Sequence, residues 1–333
     1  MRSAKSTLWA SLVFTLTACS GPTSEPPPPE PVPPVTPELE PVVPEPVVPE
    51  PPQRALITLV PCVTAVYPHD PTAYTEGLVF RREGADEILY ESTGLPDRST
   101  VRRVQLTTGE VLASQPVPRD FAEGLALDGD TLIQLTEEAN SARRFTAPSL
   151  TEVTPAFVFD GYGWGLATHG EGFLRSDGTN HLHRHRRSDF RAAGDIIVTF
   201  QGAPVARGNA LVRRYPALMT RYYDGTQQFA INELECVGDD VYGNIWLSPD
   251  LIVRLSAVTG EVDAIIEAAR IRRWLDPASS ARIANDTDAV LNGIAYDDAT
   301  ETFLLTGKRW PSVFRVRFAP SEAACEAEPA FGM

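Results

Sequence analysis

Five short motifs along this sequence contain a carboxylate, an amide or an indole next to a small or apolar residue. The two clearest are Thr75-Glu76-Gly77-Leu78 and Ala122-Glu123-Gly124-Leu125, and Gly163-Trp164-Gly165-Leu166 follows them. Weaker copies occur at Asn232-Glu233-Leu234 and at Asn292-Gly293-Ile294. A carboxylate can move protons, particularly when burial raises its pKa, and aromatic rings can hold a substrate. Side chains of these types in one pocket would therefore suit proton-transfer chemistry.

A second element follows each motif, and the pairing of the two indicates a repeat. It is a short alternating run with an arginine inside, which is typical of a β-strand. The five runs are Val101–Val104, Ala142–Phe145, Leu182–His185, Ile252–Leu255 and Val313–Val316. Strand-rich repeats of about 40–50 residues are typical of propeller blades with four strands each. We therefore predict an all-β chain folded as a five-bladed β-propeller.

The last repeat lacks one strand, and this suggests how the ring closes. Its three predicted strands are Gly293–Tyr296, Thr302–Thr306 and Val313–Phe318. The N-terminal run Ile57–Tyr67 is the candidate for the fourth, because it would close the ring and remove an open sheet edge.

Two segments interrupt the period of the repeat. Gly202–Gln228 is predicted to be an inserted loop. Glu267–Leu275 is rich in alanine and arginine and is predicted to be a helix that Asp276-Pro277 ends.

Propeller geometry would bring the motifs together although they lie far apart in the sequence. The innermost strand of each blade faces a central channel, so residues at the starts of these strands would cluster at one mouth. The residues concerned are Glu76, Glu123, Trp164, Asn232 and Asn292. Lys308 and Trp246, which we expect on second strands, would lie close to the same rim. The alternative is that the motifs are packing signatures, in which glycine permits a close approach of strands.

The beginning of the chain is predicted to be a targeting segment followed by a spacer. Residues 1–19 have a basic start and an apolar run too short to span a bilayer. They end in Leu16-Thr17-Ala18-Cys19, which resembles a bacterial lipoprotein signal with Cys19 as the lipidated residue, although an ordinary secretion signal is the alternative. Residues 20–53 hold 15 prolines and 6 glutamates and are predicted to be an extended linker. We expect an exported envelope lipoprotein, at the outer membrane and facing the periplasm or the surface, with the propeller at 54–320 and a tail at 321–333.

Charge and cysteine placement restrict the partners of the folded part. The formal net charge of −15 excludes nucleic acid as a partner, because phosphate binding needs a basic surface. Cys62 lies on the proposed closing strand and Cys325 just beyond the strand it would pair with, so we predict a disulfide between them. Cys236 would remain a buried thiol. No metal site is predicted, since no C-x-x-C pair exists and the alternating histidines at 181–185 are typical of a solvated blade face.

Together these motifs resemble the plant and bacterial type of glutaminyl-peptide cyclotransferase, a five-bladed propeller. The resemblance runs in family order from residue 67 to residue 318. It is carried by Tyr67-Pro68-His69-Asp70-Pro71-Thr72-Ala73-Tyr74-Thr75-Glu76-Gly77-Leu78, Tyr90-Glu91-Ser92-Thr93-Gly94-Leu95, Phe121-Ala122-Glu123-Gly124-Leu125, Gly163-Trp164-Gly165-Leu166-Ala167-Thr168, Ser176-Asp177-Gly178-Thr179, Asn232-Glu233-Leu234-Glu235, Asn244-Ile245-Trp246, Leu291-Asn292-Gly293-Ile294-Ala295 and Thr306-Gly307-Lys308-Arg309-Trp310-Pro311.

The resemblance implies both a reaction and the residues that carry it. In the family the α-amine of an N-terminal glutamine attacks its own side-chain carboxamide, which gives pyroglutamate and ammonia on peptides or proteins. Glu123 matches the proton carrier, and Lys308 matches a second catalytic position that stabilises the intermediate. The substrate-binding positions that the resemblance implies are Glu76, Tyr74, Phe121, Trp164, Asn232, Trp246 and Asn292. No cofactor is required by this scheme, and a structural calcium ion in the channel is compatible with it.

Two positions depart from the family pattern, and two other functions compete. Glu76 stands where the family often has glutamine, and Glu137 stands where it often has tryptophan. A weakly catalytic propeller that binds peptides or partner proteins is the main alternative. A metal-dependent propeller hydrolase would need several inward carboxylates, for which Glu76, Glu123 and Glu235 are the candidates.

Overall fold

The computed structural model describes residues 55–325, except 138, 222–226 and 248, together with residue 328. The predicted signal segment, the linker and Cys19 lie outside the described residues, as does most of the predicted tail. The described chain is all-β, mostly strands with few helices, which agrees with a propeller-like fold. No helix in the described ranges is both long and apolar enough to cross a bilayer.

Consecutive antiparallel strands form the first three sheets. The chain begins with β1 (Ile57–Pro68), which belongs to a later sheet. The first sheet is β2 (Thr75–Glu83), β3 (Asp86–Thr93), β4 (Thr100–Gln105) and β5 (Val111–Pro116). The second is β6 (Ala122–Asp128), β7 (Thr131–Thr136), β8 (Ser141–Thr146) and β9 (Thr151–Val158). The third is β10 (Leu166–His169), β11 (Gly172–Ser176), β12 (His181–Arg186) and β13 (Ala192–Ile197).

The segment predicted as an inserted loop contains short regular elements. Two small hairpins flank a helical stretch: β14 (Thr199–Phe200), β15 (Ala203–Pro204), α1 (Ala210–Arg214), a 3₁₀ helix (Pro216–Leu218), β16 (Met219–Arg221) and β17 (Gln227–Phe229). Leu211 and Leu218 from this stretch are buried against the apolar core that the third sheet shares with the strands that follow, which is why the segment is ordered.

The remaining strands join β1 in one eight-stranded sheet. They are β18 (Ile231–Val237), β19 (Asp240–Ile245), β20 (Leu251–Ser256), β21 (Val262–Glu267), β22 (Leu291–Asp297), β23 (Thr302–Gly307) and β24 (Ser312–Ala319). Its order is β18-β19-β20-β21-β1-β24-β23-β22. β1 runs parallel to β21 over Ile57–Leu59 and antiparallel to β24 from Val60 onward. The N-terminal strand therefore supplies the fourth strand beside β22–β24.

The segment between β21 and β22 differs from the single helix predicted over Glu267–Leu275. Ala268–Trp274 forms a 3₁₀ helix, and α2 (Pro277–Ala284) follows it directly. Asp276 accepts the N–H groups of Ala278 and Ser279 at 3.0 Å each, with Pro277 in the first turn. The dipeptide that was predicted to end a helix also begins one, because proline is well suited to the first helical position.

Apolar side chains between neighbouring sheets hold the sheets face to face. Leu78 and Leu89 of the first sheet pack with Leu304 and Val313 of β23 and β24. Ile88 and Tyr90, on the same sheet, pack against residues of the second, including Phe145. The first sheet thus buries one face against β23 and β24 of the last sheet and the other face against the second sheet.

A disulfide joins the two ends of the described chain. Cys62 and Cys325 are bonded with an S–S distance of 1.95 Å and a sequence separation of 263 residues. A 3₁₀ helix (Glu322–Ala324) leads into Cys325. Cys236 carries a free thiol, as predicted, and is half-buried where a buried thiol was expected.

Replacing both cysteines, as Cys62→Ala with Cys325→Ala, should lower the free energy of unfolding. A loop of 263 residues gives a loss of at most about 5.6 kcal/mol in the chain-entropy model. Denaturant unfolding of the variant and the parent would measure it, with Cys236→Ala as the control. Alkylation of both residues in the unreduced folded protein would contradict the bond.

Candidate active site

An irregularity at the same place in four innermost strands positions the polar side chains. The register with the neighbouring strand shifts between Thr75 and Gly77 in β2 and between Ala122 and Leu125 in β6. It shifts in the same way near the starts of β18 and β22. Each shift contains one polar residue of the predicted site, and these residues are Glu76, Glu123, Asn232 and Asn292. A bulge re-aims a side chain next to the ladder, and such bulges are frequent at functional sites.

The glycines of the motifs are required by packing, as the alternative interpretation held. A Cβ atom on Gly77 would lie 2.4 Å from the backbone nitrogen of Leu125, and one on Gly124 would lie 2.5 Å from that of Leu166. A Cβ on Gly165 would lie 2.1 Å from the carbonyl oxygen of Asn232. The innermost strands therefore approach each other closely around the ring, which also draws the polar side chains at their starts together.

Lys308 and Glu76 form a buried ion pair at this end of the strands. The Nζ atom of Lys308 donates to Oε1 of Glu76 at 2.7 Å, and both side chains are almost fully buried. Asn292 donates from Nδ2 to Oε2 of Glu76 at 3.0 Å. The ammonium also lies 4.6 Å from the centre of the Tyr74 ring, which itself meets Phe121 edge-to-face at 6.1 Å. Five predicted site residues thus form one connected group.

Burial sets the proton affinities of this group. It raises the pKa of Glu76 to about 7, although the Lys308 ammonium opposes the shift. For Lys308, burial would lower the pKa, but the Glu76 carboxylate outweighs it and the pKa is raised. Lys308 therefore stays charged at neutral pH while Glu76 titrates there. Burial also raises the pKa of Tyr74 to about 12, so its hydroxyl stays protonated.

Glu123 is a buried carboxyl group with an open oxygen. It is 5% exposed, and its Oε2 atom has no hydrogen-bond partner among the described residues. Burial raises its pKa well above the usual range, the Glu76 charge raises it further, and the Lys308 ammonium opposes both. A carboxyl group with a raised pKa and a vacant oxygen can accept and return a proton at neutral pH.

Two indoles and an amide form a second group near the start of β10. Trp164 and Trp246 meet edge-to-face with their ring centres 5.6 Å apart. Asn232 is 4% exposed, and its Oδ1 atom has no hydrogen-bond partner in the described part of the chain. Ser176 donates to the backbone oxygen of Asn232 at 2.6 Å and accepts from the backbone nitrogen of Gly165, which ties the second group to the third sheet.

Glu137 acts on the first group from the turn after β7. Its backbone nitrogen donates to the backbone oxygen of Phe121 at 3.0 Å, and its side chain is half-buried. The charge of Glu137 raises the pKa of both Glu76 and Glu123. The position where the family often has an aromatic side chain therefore carries a third carboxylate that bears on this site.

Three details of placement differ from the sequence prediction. Lys308 lies one residue beyond β23, and Trp246 lies one residue beyond β19. Both therefore stand at the ends of second strands and not within them. Trp164 lies two residues before β10.

Two buried acids were not predicted as site residues. Glu233 accepts the backbone N–H groups of Leu78 and Ile294 and so joins β18 to β2 and β22. Glu91 accepts from His69 at 2.9 Å and from Arg102 below the first group. Sequence alone does not show whether an acidic residue in a strand is buried or exposed. These two acids therefore gave no signal that would have marked them as site residues.

The described residues contain one cluster with metal-ligand atoms close enough to share an ion, and its chemistry does not suit one. It consists of Cys62, Cys325 and Glu328, and both sulfurs are used in the disulfide. His183 is bonded to the carboxylates of Asp177 and Asp195, while His185 is buried, so these histidines do not form the solvated face that was predicted.

Comparison with known proteins relates the whole of this region to one family. A family model described as glutamine cyclotransferase matches residues 44–214 and 217–318. Glutaminyl-peptide cyclotransferase from Arabidopsis thaliana is 32% identical over 262 residues, which is 78% of this chain and 72% of that protein. The crystal structure of Myxococcus xanthus glutaminyl cyclase matches with a TM-score of 0.63 and 30% identity, and covers 79% of this chain and 98% of that chain.

Gly165→Ala should destabilise the fold, because its new methyl group would meet the Asn232 carbonyl oxygen. Overpacking of this kind costs about 1–3 kcal/mol, and more where backbone cannot yield. Thermal unfolding compared with Gly129→Asn is the measurement. Gly129 has open space around its Cβ position and a φ of +58°, which asparagine tolerates. A wild-type melting temperature for Gly165→Ala would contradict the close approach.

Proposed function

The chain belongs to the glutamine cyclotransferase family and converts N-terminal glutamine to pyroglutamate with release of ammonia; we propose that Glu123 carries the proton in this reaction. The observation that carries the proposal is the open, buried Oε2 atom of a carboxyl group whose pKa is raised. An ideal proton carrier has a pKa near the working pH, since it must both accept and give up the proton.

The proton route needs one carboxyl group. The α-amine attacks the carbon of the side-chain carboxamide, and a new C–N bond forms. The Glu123 carboxylate takes a proton from the attacking nitrogen, and the resulting acid gives it to the departing nitrogen, which leaves as ammonia when the old C–N bond breaks. The reactive form is the neutral amine with the Glu123 carboxylate. It holds one proton fewer than the carboxylate with an ammonium, so that proton passes to solvent before the amine attacks.

The remaining side chains suit binding and charge stabilisation. The former carboxamide oxygen becomes negative in the tetrahedral intermediate, and the Lys308 ammonium is the group that stabilises it. The open Oδ1 atom of Asn232 suits a donor, such as the carboxamide nitrogen. Trp164 and Trp246 are assigned as walls that cover the glutamine side chain and exclude water.

The residues around the Lys308 ammonium are assigned to substrate binding. They are Glu76, Tyr74, Phe121 and Asn292. Asn292 and Lys308 keep Glu76 in place from two sides, and Tyr74 keeps its hydroxyl proton. Ring closure is intramolecular, so a pocket that holds the glutamine folded supplies a large part of the rate.

The proposal includes a five-bladed propeller. Three four-stranded sheets, together with the two halves of the eight-stranded sheet, support five blades. In the second half, pairing of β1 with β24 supports closure by the N-terminal strand. A structural calcium ion is not needed to hold the channel acids Glu233 and Glu235, because backbone N–H groups bind both. The domain proposed is 54–320.

We also propose export and a lipid anchor. The basic start, the apolar run and Cys19 support a lipoprotein signal at 1–19, with the linker at 20–53 as a spacer from the membrane. The disulfide supports an oxidising compartment. An envelope location follows, with peptides or proteins that begin with glutamine as substrates.

Glu123→Gln should abolish turnover while the protein stays folded. Loss of a positioned acid–base group costs about 10²–10⁴ in rate. Ammonia release from a glutamine-initiated dipeptide measures it, and Glu171→Gln, in an exposed turn, is the matched control.

Two outcomes would redirect this assignment. Wild-type kcat in Glu123→Gln, with loss of activity in Glu76→Gln, would move the proton to Glu76. No ammonia release by the wild-type protein, with retained binding of the dipeptide, would favour the peptide-binding alternative.

Glu137→Trp should raise kcat/KM and move the rising limb of its pH profile to lower pH. The substitution removes a negative charge that raises the pKa of Glu123, and a ring could hold the α-ammonium by a contact worth about 0.5–2 kcal/mol. Glu137→Gln is the control, because it removes the charge without adding a ring. The shift should shrink at high salt. Unchanged profiles in both variants would mean that Glu137 does not act on the pocket.

A further inference from the structure

His69 is a buried histidine that the proposed reaction leaves without a role, although it contacts residues on both sides of the Glu76–Lys308 pair. It is 7% exposed and follows β1 in the loop that leads to Tyr74. Its Nε2 atom lies 2.9 Å from Oε1 of Glu91, and its Nδ1 atom lies 2.7 Å from the backbone oxygen of Trp310. A buried histidine with two such short contacts is tightly held.

The two partners determine the protonation state of the ring. A backbone carbonyl oxygen can only accept a hydrogen bond, and an ionised carboxylate can only accept as well. Glu91 is ionised: burial opposes ionisation, but His69 and Arg102 outweigh it and lower the pKa. Both ring nitrogens of His69 must therefore donate, and a ring with two N–H groups is an imidazolium cation.

The charges around the ring support that state. Arg102 also bonds Glu91, through Nε at 3.1 Å, and it bonds Asp70 at 2.7 Å, so two cations face two carboxylates. Burial and Arg102 lower the pKa of His69, while Glu91 and the Trp310 carbonyl raise it, and the net shift is upward. The hydroxyl of Thr306 on β23 is the further polar group near the ring, at 3.5 Å.

The network connects the two halves of the Glu76–Lys308 pair. On one side, Thr75, the neighbour of Glu76, donates its hydroxyl to Glu91 at 2.7 Å. On the other side, Trp310 belongs to the turn that carries Lys308, and His69 also bonds Pro311 through its backbone nitrogen at 2.8 Å. This turn contains Arg309 at a φ of +60°, a conformation that a non-glycine residue keeps only when its surroundings hold it.

We propose that His69 is a positioning residue: a doubly donating imidazolium that holds the Lys308 turn against Thr75, so that the ammonium stays on Glu76 and close to Glu123. The inference rests on the proposed function, because its consequence is catalytic. The Lys308 ammonium lowers the pKa of both Glu76 and Glu123. A turn that is free to move would weaken this effect, and both carboxyl groups would then titrate at higher pH.

The test compares His69→Gln with wild type and with His169→Gln, at pH values across the rising limb of kcat/KM. His169 ends β10, lies outside the network and makes a 3.4 Å contact with Asp239. For His69→Gln we expect kcat to fall by about tenfold or more, as a small misplacement of a catalytic group causes, with a smaller change in KM. The rising limb should move to higher pH, whereas the control should match wild type. A His69→Gln profile that differs from wild type only by a constant factor would overturn the proposal.

A second measurement does not require the variant to fold. Nitrogen-15 NMR of the five histidine rings in the wild-type protein reports which ring nitrogens carry protons. His183, whose two nitrogens face the carboxylates of Asp177 and Asp195, can give the same doubly protonated signal, so the His69 ring is assigned separately. We expect the His69 ring to carry protons on both nitrogens at pH 7.5, and a neutral ring at that position would overturn the proposal. If the wild-type protein releases no ammonia, the proposed function fails separately, and the NMR result then decides whether the imidazolium exists.

Discussion

One buried ammonium group faces more carboxylates than it can neutralise. Lys308 is paired with Glu76, while Glu123 and Glu137 act on the same pair. Taking a carboxylate out of water favours its neutral form, and neighbouring negative charges favour that form further. The raised pKa values of Glu76 and Glu123 follow from their burial and from this excess of negative charge.

The fold concentrates these charges through backbone packing. Glycines at the innermost strands let neighbouring backbones approach to distances that a Cβ atom would prevent. Register shifts near the starts of β2, β6, β18 and β22 each place one polar residue of the predicted site out of the ladder. The packing interpretation and the catalytic interpretation of the motifs are therefore compatible, because the same close approach serves both.

Much of the fold follows from sequence, because the strand repeat has a strong period. The last repeat has only three predicted strands, so the sequence predicts that Ile57–Pro68 supplies the fourth strand beside β22–β24. This placement brings Cys62 close to Cys325, and the disulfide is predicted from it. The elements around residues 202–228 and 268–284 do not follow, since their order comes from apolar contacts with distant parts of the chain. The repeat predicts that Glu76 and Asn292 lie near Lys308, as the structure shows. The Glu76–Lys308 bond itself does not follow from the sequence, because contacts between distant strands have no local signal. The network of His69, Glu91 and Arg102 is missed for the same reason.

The proposed role of Glu123 rests on its raised pKa, which burial and the Glu76 charge move well above the ordinary range of glutamate. Carbon-13 NMR titration of the glutamate side-chain carboxyl groups, with Glu123 assigned by comparison with Glu123→Gln, measures this directly. The account predicts a Glu123 resonance that titrates well above the ordinary range of glutamate, and that moves to lower pH in Glu76→Gln. A Glu123 carboxyl group that titrates in the ordinary range, whatever stands at position 76, would contradict it.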